Sequence, residues 1–304
     1  MKKQNFSTWQ GTGGGVSGGK RGPSLGTVAA PGVPPGTSVA GPAMEAVAAE
    51  SHGPAALAHS PSSHHRSPGR VAEERSPVYA YLKKPSLLDF PGHVAAVFFT
   101  SGCNMRCGFC HNASLLGRRK PGLTWDRLDA VCREFRHHWA GGVVLSGGEP
   151  TLEPELPRLL ASLGQHGFAV KLDTNGTNPD ALAAALPRVQ YVAMDFKCRL
   201  ERYAAFTGFG DLAAIARSVA LLKEGRVAYE FRTTVVDGIH DADEIRAMGE
   251  LARGAARFVL QPFLPRDDLP DPALRTVKRT HREQLEALAV ILRDYVACVE
   301  IRGA

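Results

Sequence analysis

Cysteine is scarce in this chain, with six in 304 residues, and long apolar runs are missing. No stretch approaches the roughly 20 apolar residues that span a bilayer, and no compact apolar segment follows the basic start as it would in a signal peptide. So few cysteines in a long chain without an export signal favour reduced thiols over disulfides. We therefore expect a cytoplasmic protein with no membrane partner.

Long runs of Lys and Arg are also missing, although the formal net charge is +6. Proteins that bind nucleic acid usually concentrate basic residues in a run or along one helix. A solvated surface explains a mild excess of this kind. We therefore expect no nucleic-acid partner.

The first 77 residues have little aliphatic periodicity and are rich in Gly, Pro, Ser and Ala, as in Gly13-Gly14-Gly15 and Pro34-Pro35-Gly36. Such a segment cannot bury enough apolar surface to offset the entropy lost on ordering. We expect residues 1–77 to form a disordered low-complexity tail and residues 78–304 to form one folded domain. A misassigned start codon would also account for the tail.

Beyond the tail, patterns typical of strands and helices alternate along the chain. The predicted strands cover residues 94–100, 143–146, 169–173, 191–196, 228–236 and 257–261. The predicted helices cover residues 125–139, 154–166, 212–223, 242–252 and 280–295, with one more from about residue 179. Regular alternation of this kind indicates an α/β fold with a parallel sheet. Six units suit an incomplete, open (β/α)6 TIM-like barrel, and a doubly wound sheet is the alternative.

Three of the six cysteines lie close together, as Cys103, Cys107 and Cys110, in the pattern C-x-x-x-C-x-x-C after the first predicted strand. Three thiolates at this spacing can hold three irons of a [4Fe–4S] cube. The fourth iron then lacks a protein ligand and can bind a substrate. The pattern therefore indicates chemistry at the cluster as well as electron transfer.

Three other interpretations of the cysteines stay open at this point. Zinc prefers four N or S ligands, and His111 is the candidate for the fourth, although it adjoins Cys110. The run from Cys107 to His111 also fits the C-x-x-C-H signature of covalent haem attachment, which leaves Cys103 unexplained. A disulfide between two of the three is the third possibility.

A second motif, Gly147-Gly148-Glu149, follows the apolar run of the second predicted strand. Glycine lets the backbone approach a ligand closely, and the carboxylate of Glu149 suits a cationic amino group. Alone, the motif is no more than a strand-to-helix turn. One βα unit after three clustered cysteines, it indicates a binding site.

Together the cysteines and the Gly-Gly-Glu segment resemble the radical S-adenosylmethionine (SAM) superfamily. The resemblance implies that Cys103, Cys107 and Cys110 hold a [4Fe–4S] cluster and that Gly147, Gly148 and Glu149 contact the methionine amino group of SAM. It also implies that one electron from the cluster cleaves SAM into methionine and a 5′-deoxyadenosyl radical, with the protein supplying position and shielding.

Further segments restrict the resemblance to one group of enzymes within the superfamily. They cover residues 84–92, 110–112, 172–176, 195–197, 230–236 and 260–263. This set is similar to the activases of glycyl-radical enzymes, and the last two segments are most similar to activating proteins of anaerobic (class III) ribonucleoside-triphosphate reductase. The implied partner is that reductase. An activase of another glycyl-radical enzyme, of the pyruvate formate-lyase type, and a radical SAM enzyme acting on a small molecule are alternatives, as is a non-catalytic metal- or haem-binding module.

Polar residues at the ends of later strands complete the predicted SAM site. The resemblance assigns to it Asp173, Thr174, Asp195 and Lys197. All lie where βα loops build active sites in barrels. Arg232 is added because an unpaired charge inside an apolar strand is costly, so we expect it to meet a carboxylate or the cofactor. From spacing alone, Asp173 and Asp195 are as well explained by helix capping or by an ion pair with Lys197.

Four remaining residues complete the predictions. His240 is a speculative adenosine contact, and an exposed loop histidine is the simpler interpretation. Cys132, Cys198 and Cys298 are expected to be buried apolar residues. Because no second cysteine cluster is present in the sequence, the electron is expected to come from flavodoxin or ferredoxin.

Overall fold

The computed structural model describes residues 46–48, for which only the backbone is considered, and residues 74–304. Most of the predicted disordered tail therefore lies outside the described residues. Contacts with the folded domain begin ahead of residue 78. The backbone N–H of Ser76 donates to the carbonyl of Leu123 at 2.8 Å, and both Ser76 and Pro77 are buried.

A single nine-stranded sheet in sequence order organises the described residues. The strands are β1 (Ala46–Ala48), β2 (Ala80–Leu82), β3 (Ala95–Thr100), β4 (Gly142–Gly147), β5 (Ala169–Thr174), β6 (Tyr191–Asp195), β7 (Ala228–Val235), β8 (Phe258–Pro262) and β9 (Val299–Ile301). Strands β3 to β9 pair in parallel, and β1 and β2 add antiparallel at one edge. Consecutive parallel strands need crossover helices, which fixes the βα order.

Seven α-helices supply most of these crossovers. They are α1 (Trp125–His138), α2 (Leu156–Gln165), α3 (Pro179–Ala185), α4 (Tyr203–Thr207), α5 (Leu212–Lys223), α6 (Ala242–Ala252) and α7 (Arg282–Leu292). Four begin at a side-chain cap: the side chains of Thr124, Asn178, Asp211 and Asp241 each accept a backbone N–H of the first turn. Among the described residues no single helix is long and apolar enough to cross a membrane, and only the bent pair formed by 200–207 and 212–223 passes that test together.

The two faces of the sheet bury two separate apolar groups. The larger packs the helices against the outer face. The smaller lies on the inner face of the sheet, against β3 and β4, and contains Phe90, Val97, Phe99 and Val144. A parallel sheet covered on both faces has nearly continuous apolar strands, and all six residues of β3 are buried.

The sheet does not close among the described residues, since no pairing joins β9 to β1 or β2. The predicted α/β fold, an incomplete and open (β/α)6 barrel, is confirmed. The six predicted strands are β3 to β8, with ends that differ by at most one residue. Strands β2 and β9 extend the sheet beyond the six units. Both are three residues long, too short for a periodic signal.

Candidate active site

A cleft at the carboxyl ends of β3 to β7 brings together eleven of the residues that the sequence assigned to the site. It encloses about 860 Å³, counted to its open mouth. The eleven predicted residues that line it are Cys103, Cys107, Cys110, Gly147, Gly148, Glu149, Asp173, Thr174, Asp195, Lys197 and Arg232. The carboxyl ends of parallel strands meet at one edge of a sheet, so residues up to 129 positions apart in the chain share one cavity.

The cysteine loop leaves the end of β3. Cys107 is buried, and Cys103 and Cys110 are half-buried. The Cys103 sulfur accepts the N–H of Met105 at 3.4 Å and the amide of Asn175 at 3.7 Å. Hydrogen bonds to a sulfur favour its thiolate, which is the form that binds metal.

Burial raises the pKa of all three thiols, that of Cys103 to about 11. Free thiols are therefore protonated at neutral pH, and a bound cluster must supply the charge that holds them as thiolates. In the part of the chain that the structure describes, no three His, Cys, Asp or Glu side chains converge on a single metal ion. The ring of His111 meets the carbonyl of Leu264 at 3.0 Å. Three thiols that line one desolvated cleft without meeting at a single point fit an iron–sulfur cluster, which offers a separate iron to each thiol, better than they fit zinc or attached haem.

The two glycines after β4 bring the second loop against the cysteine loop. Gly147 has a φ of +123°, which favours glycine. A Cβ on Gly148 would lie 2.0 Å from the carbonyl oxygen of Gly102, the residue before Cys103. The N–H of Glu149 donates to that same oxygen at 2.9 Å. The Gly-Gly-Glu segment is thus locked to the loop that carries the thiols.

The carboxylate of Glu149 is almost completely buried and accepts four hydrogen bonds. They come from the N–H and hydroxyl of Thr151 at 3.1 and 2.6 Å, the hydroxyl of Thr174 at 2.7 Å and the N–H of Asn175 at 2.6 Å. Burial raises its pKa, and these donors oppose that effect. The side chain joins the loops after β4 and β5. Its predicted contact with the amino group of SAM stays a prediction.

A layer of alternating charges lies at the ends of β5, β6 and β7. The Arg232 guanidinium contacts Asp195 at 2.7 Å and Asp173 at 3.4 Å. Lys197 contacts Asp195 at 2.8 Å. Lys171, buried one pleat below, contacts Asp173. These five side chains form the charged layer.

The ion pairs of Asp195 with Arg232 and Lys197 keep these three side chains ionised. Burial alone would raise the pKa of Asp195, but Arg232 and Lys197 together hold it well below its usual range. Burial opposes the charge on Arg232 and Lys197, yet Asp195 raises the pKa of both. Three cations and two carboxylates leave one net positive charge. A ligand carboxylate complements that surplus. Asp195 forms the ion pair with Lys197 that the alternative interpretation expected, whereas Asp173 pairs with Lys171 and Arg232. The role of both aspartates toward SAM stays a prediction.

Sequence reasoning missed two parts of the site. Lys171 was not assigned, although on a strand residues 171 and 173 share a face. Asn104, Asn175 and Thr177 form a hydrogen-bonded group beside Cys103, with distances of 2.7 to 3.2 Å. Their signal was Asn175, which lies inside the quoted segment 172–176 without a stated role.

Two expectations about other residues are wrong. His240 is neither an exposed loop residue nor a lining residue of the cleft. It is buried, and its ring accepts the N–H of Val236 at 2.9 Å and contacts the carbonyl of Lys197 at 2.9 Å. These two contacts connect the loop after β7 to the loop after β6. Cys298 is exposed, whereas Cys132 and Cys198 are buried as expected. Cys298 directly precedes β9, the edge strand, where no helix covers it.

Comparison with known proteins agrees with this geometry. The model of the family described as "Radical SAM superfamily" matches residues 97–251, half of the chain. A protein of Methanocaldococcus jannaschii named as a glycyl-radical enzyme activating enzyme is 31% identical over 225 residues, which cover 71% of this chain and 92% of that protein. A pyruvate formate-lyase-activating enzyme of Clostridium pasteurianum is 31% identical over 231 residues, which cover 70% and 95%.

Solved structures extend the comparison to the fold. The crystal structure of Streptococcus suis SuiB bound to S-adenosylmethionine superposes with a TM-score of 0.55 at 14% identity. The superposition covers 68% of this chain and 50% of that one, so this chain spans about half the length of SuiB. At that identity the likeness concerns the fold alone.

Proposed function

The chain belongs to the radical SAM superfamily, and from that premise we propose that it is an activase that installs a glycyl radical on a partner protein. The superfamily uses a [4Fe–4S] cluster and SAM. The observation that carries the proposal is the convergence of three desolvated thiols, a glycine-lined backbone and a charged layer in one cleft. Two relatives of nearly the same length as the folded domain carry activase names.

The residues present fit both cofactors. Cys103, Cys107 and Cys110 would hold the cluster, and the segment from Gly147 to Glu149 with the charged layer would hold SAM. When bound, this pair supplies a 5′-deoxyadenosyl radical by one-electron cleavage of SAM. The chain's own groups bind, orient and shield.

Each part of the cleft has a separate task in this proposal. Arg232 and Lys197 offer positive charge to the carboxylate of SAM, and Asp173 and Asp195 fix those two cations in place. Phe109 stacks on Phe206 with ring centroids 5.1 Å apart and helps to keep water from the cysteine loop. Exclusion of water protects a reactive radical from side reactions.

The partner is a protein that presents a backbone glycine. The cleft opens at the loop face of an unclosed sheet, which suits an extended loop of a partner. The radical would remove one hydrogen atom from the glycine Cα. Residues 230–236 and 260–263 resemble the reductase activases most, and we propose anaerobic ribonucleoside-triphosphate reductase as that partner.

The test uses anaerobically reconstituted protein with SAM and dithionite. We expect 5′-deoxyadenosine and methionine as products and, after the organism's own anaerobic reductase is added, a glycyl radical detectable by EPR. Pyruvate formate-lyase should give little or none, because a small misplacement of the Cα hydrogen costs orders of magnitude in rate.

The two levels of the proposal fail differently. A radical on the lyase with none on the reductase would reassign the partner and keep the activase class. Product formed from a small molecule, with no radical on either protein, would replace the activase by a small-molecule enzyme. Absence of SAM cleavage would reject both.

A further inference from the structure

The electron that the proposed function requires has no second cluster to come from within the described residues. The other thiols, Cys132, Cys198 and Cys298, lie apart on α1, after β6 and before β9. A carrier outside the chain must therefore approach the thiol cleft. Because electron transfer slows steeply with distance, the surface next to the cysteine loop is where docking is productive.

That surface is basic. Arg75, Arg118, Arg119 and Lys120 are all exposed, and we call these four residues the basic surface. Three of them are consecutive in the loop between β3 and α1. Lys120 lies over the ring of Tyr79, with 5.2 Å between its Nζ and the ring centroid. Arg75 reaches the carbonyl of Gly122. Lys120 and Arg75 thus each have a contact that fixes the position of their charge.

The basic surface is fastened directly to the cysteine loop. Gly117 pairs with Cys103 through an isolated backbone bridge. The N–H of Lys120 donates to the Ser101 hydroxyl at 2.8 Å, and that hydroxyl donates to the Lys120 carbonyl at 3.2 Å. The Arg119 backbone lies 3.2 Å from the Cβ position of Gly102. One layer of backbone therefore separates the basic surface from a predicted cluster ligand.

The loop between β8 and α7 also contacts the cysteine loop, where the N–H of Asp271 donates to the Gly108 carbonyl at 3.1 Å. It exposes Asp267, Asp268 and Asp271 but also Arg275, Lys278 and Arg279, and Asp268 pairs with Arg266 at 2.8 Å. The charges of that loop are therefore mixed, whereas Arg118, Arg119 and Lys120 form an unbroken run of cations that attracts an acidic protein. Complementary charge of this kind steers encounter and fixes orientation.

We propose that the basic surface docks an acidic one-electron carrier protein, which gives up one electron while the site beside Cys103 accepts it. The inference rests on the proposed function, since only a reductive reaction needs a carrier. The four cations form a compact patch suited to a cluster of carboxylates. Arg119 differs from the other three residues of the basic surface, because its guanidinium also forms an ion pair at 2.9 Å with the carboxylate of Glu153, which is almost completely buried.

The test replaces two cations of the basic surface by carboxylates and leaves the ion pair between Arg119 and Glu153 intact. Arg118→Glu and Lys120→Glu are combined in one variant, and Arg188→Glu with Lys223→Glu gives the matched control. Arg188 and Lys223 are exposed but precede β6 and β7, at the other end of the barrel. A strongly acidic flavodoxin, reduced beforehand, serves as the carrier, and dithionite serves as the small reductant.

Two measurements are made on each protein. We expect the reversed variant to bind flavodoxin at least about tenfold more weakly at low salt, with a similar loss of flavodoxin-driven SAM cleavage and a flatter salt dependence. Cleavage driven by dithionite should stay within about twofold of the unmodified protein, since small reductants need no docking. The control variant should match the unmodified protein in both.

The outcomes separate this inference from the proposed function. Unchanged flavodoxin binding in the reversed variant, or equal loss in the control variant, overturns the docking surface even if dithionite drives cleavage. Loss of SAM cleavage with dithionite in the unmodified protein overturns the proposed function instead. Binding is measured on its own, so it reports on docking in either case.

Discussion

The interior of the sheet has two unlike halves. Beneath β3 and β4 it is apolar, with Val97, Phe99 and Val144 packed on Phe90. On the inner face of β5 to β9 it is charged. Besides the charged layer, this half contains buried Glu230, whose carboxylate accepts the Tyr191 hydroxyl at 2.8 Å and the two terminal guanidinium nitrogens of Arg302 at 2.9 and 3.0 Å.

The contrast separates two kinds of binding. The apolar half carries the cysteine loop, where desolvation disfavours free thiolates and leaves a bound metal as the group that stabilises them. In the charged half, the cations and carboxylates of the charged layer form ion pairs with one another, and one positive charge is left over for a ligand. Each half is therefore suited to one of the two cofactors, and each should fail in its own way.

The largest expected effect comes from the cysteine loop of the apolar half. Cys107→Ala should reduce SAM cleavage to background and lower the iron content, normally about four per chain for one cube. Iron and sulfide analysis with product detection by chromatography checks it. Cys132→Ala is the matched control, since Cys132 is a buried thiol on α1 outside the cleft. Full activity of Cys107→Ala would end the cluster assignment.

A pair of substitutions, one in each half, tests the division more sharply. Phe99→Ala should destabilise the fold by about 3–5 kcal/mol, because it leaves a cavity in the inner apolar group. Arg232→Met should cost about 3 kcal/mol by leaving carboxylates less compensated. Only Arg232→Met should also weaken SAM binding, by about tenfold or more.

Denaturant unfolding and calorimetric titration with SAM measure the two effects. An exposed pair provides the control: Arg217 and Asp180 are largely solvent-exposed, and Arg217→Met should change stability by less than about 1 kcal/mol. Equal loss of SAM affinity in Phe99→Ala and Arg232→Met would show that the halves are not separable.

Acid should act on the charged half first. The pKa of Asp195 is lowered in the folded protein, so its stabilising effect is complete above the unfolded value of about 4. It is lost as pH falls from there through the lower folded value. The difference in unfolding free energy between the protein and Asp195→Asn should be constant from about pH 5 to 8 and shrink below about pH 4. A constant difference down to about pH 2 would contradict this.

The smallest effect is expected outside both halves. Deleting residues 1–73 removes β1 from the antiparallel edge but none of the strands that carry the cleft, so dithionite-driven SAM cleavage should stay within about twofold. Deleting residues 1–77 should lower stability further, since Ser76 and Pro77 are buried against the domain. Thermal unfolding of the two truncated proteins separates the contributions. Loss of the cluster in the shorter deletion would mean that the tail was misread.

Most of the fold was predictable because its signals are local. The apolar runs of β3 to β8 and caps such as Thr124 are visible in the sequence. Strand β9 was not, because its three half-buried residues owe their conformation to pairing with β8. Helix α7 ends three residues before the predicted end, at the turn into the segment before β9.

The candidate site was predictable as a set but not as a network. The motifs placed all eleven residues in one cleft, while their roles toward SAM and the cluster stay predictions. What connects them depends on contacts between segments far apart in the chain, such as Arg232 on β7 with Asp173 on β5 and Asn175 with Cys103. The burial of His240 likewise follows from two partners on different loops, which no single segment encodes.

The contact of Gly148 with Gly102 has a further consequence for how this protein can change. Backbone atoms of two glycines are in direct contact there, with no side chain between them. No substitution can therefore bring the cysteine loop and the loop after β4 closer together. Any larger residue at position 148 pushes both loops apart at once. Variation in specificity must therefore accumulate elsewhere, at the rim and in the later loops, while this junction fixes the distance between the cysteine loop and the Gly-Gly-Glu segment.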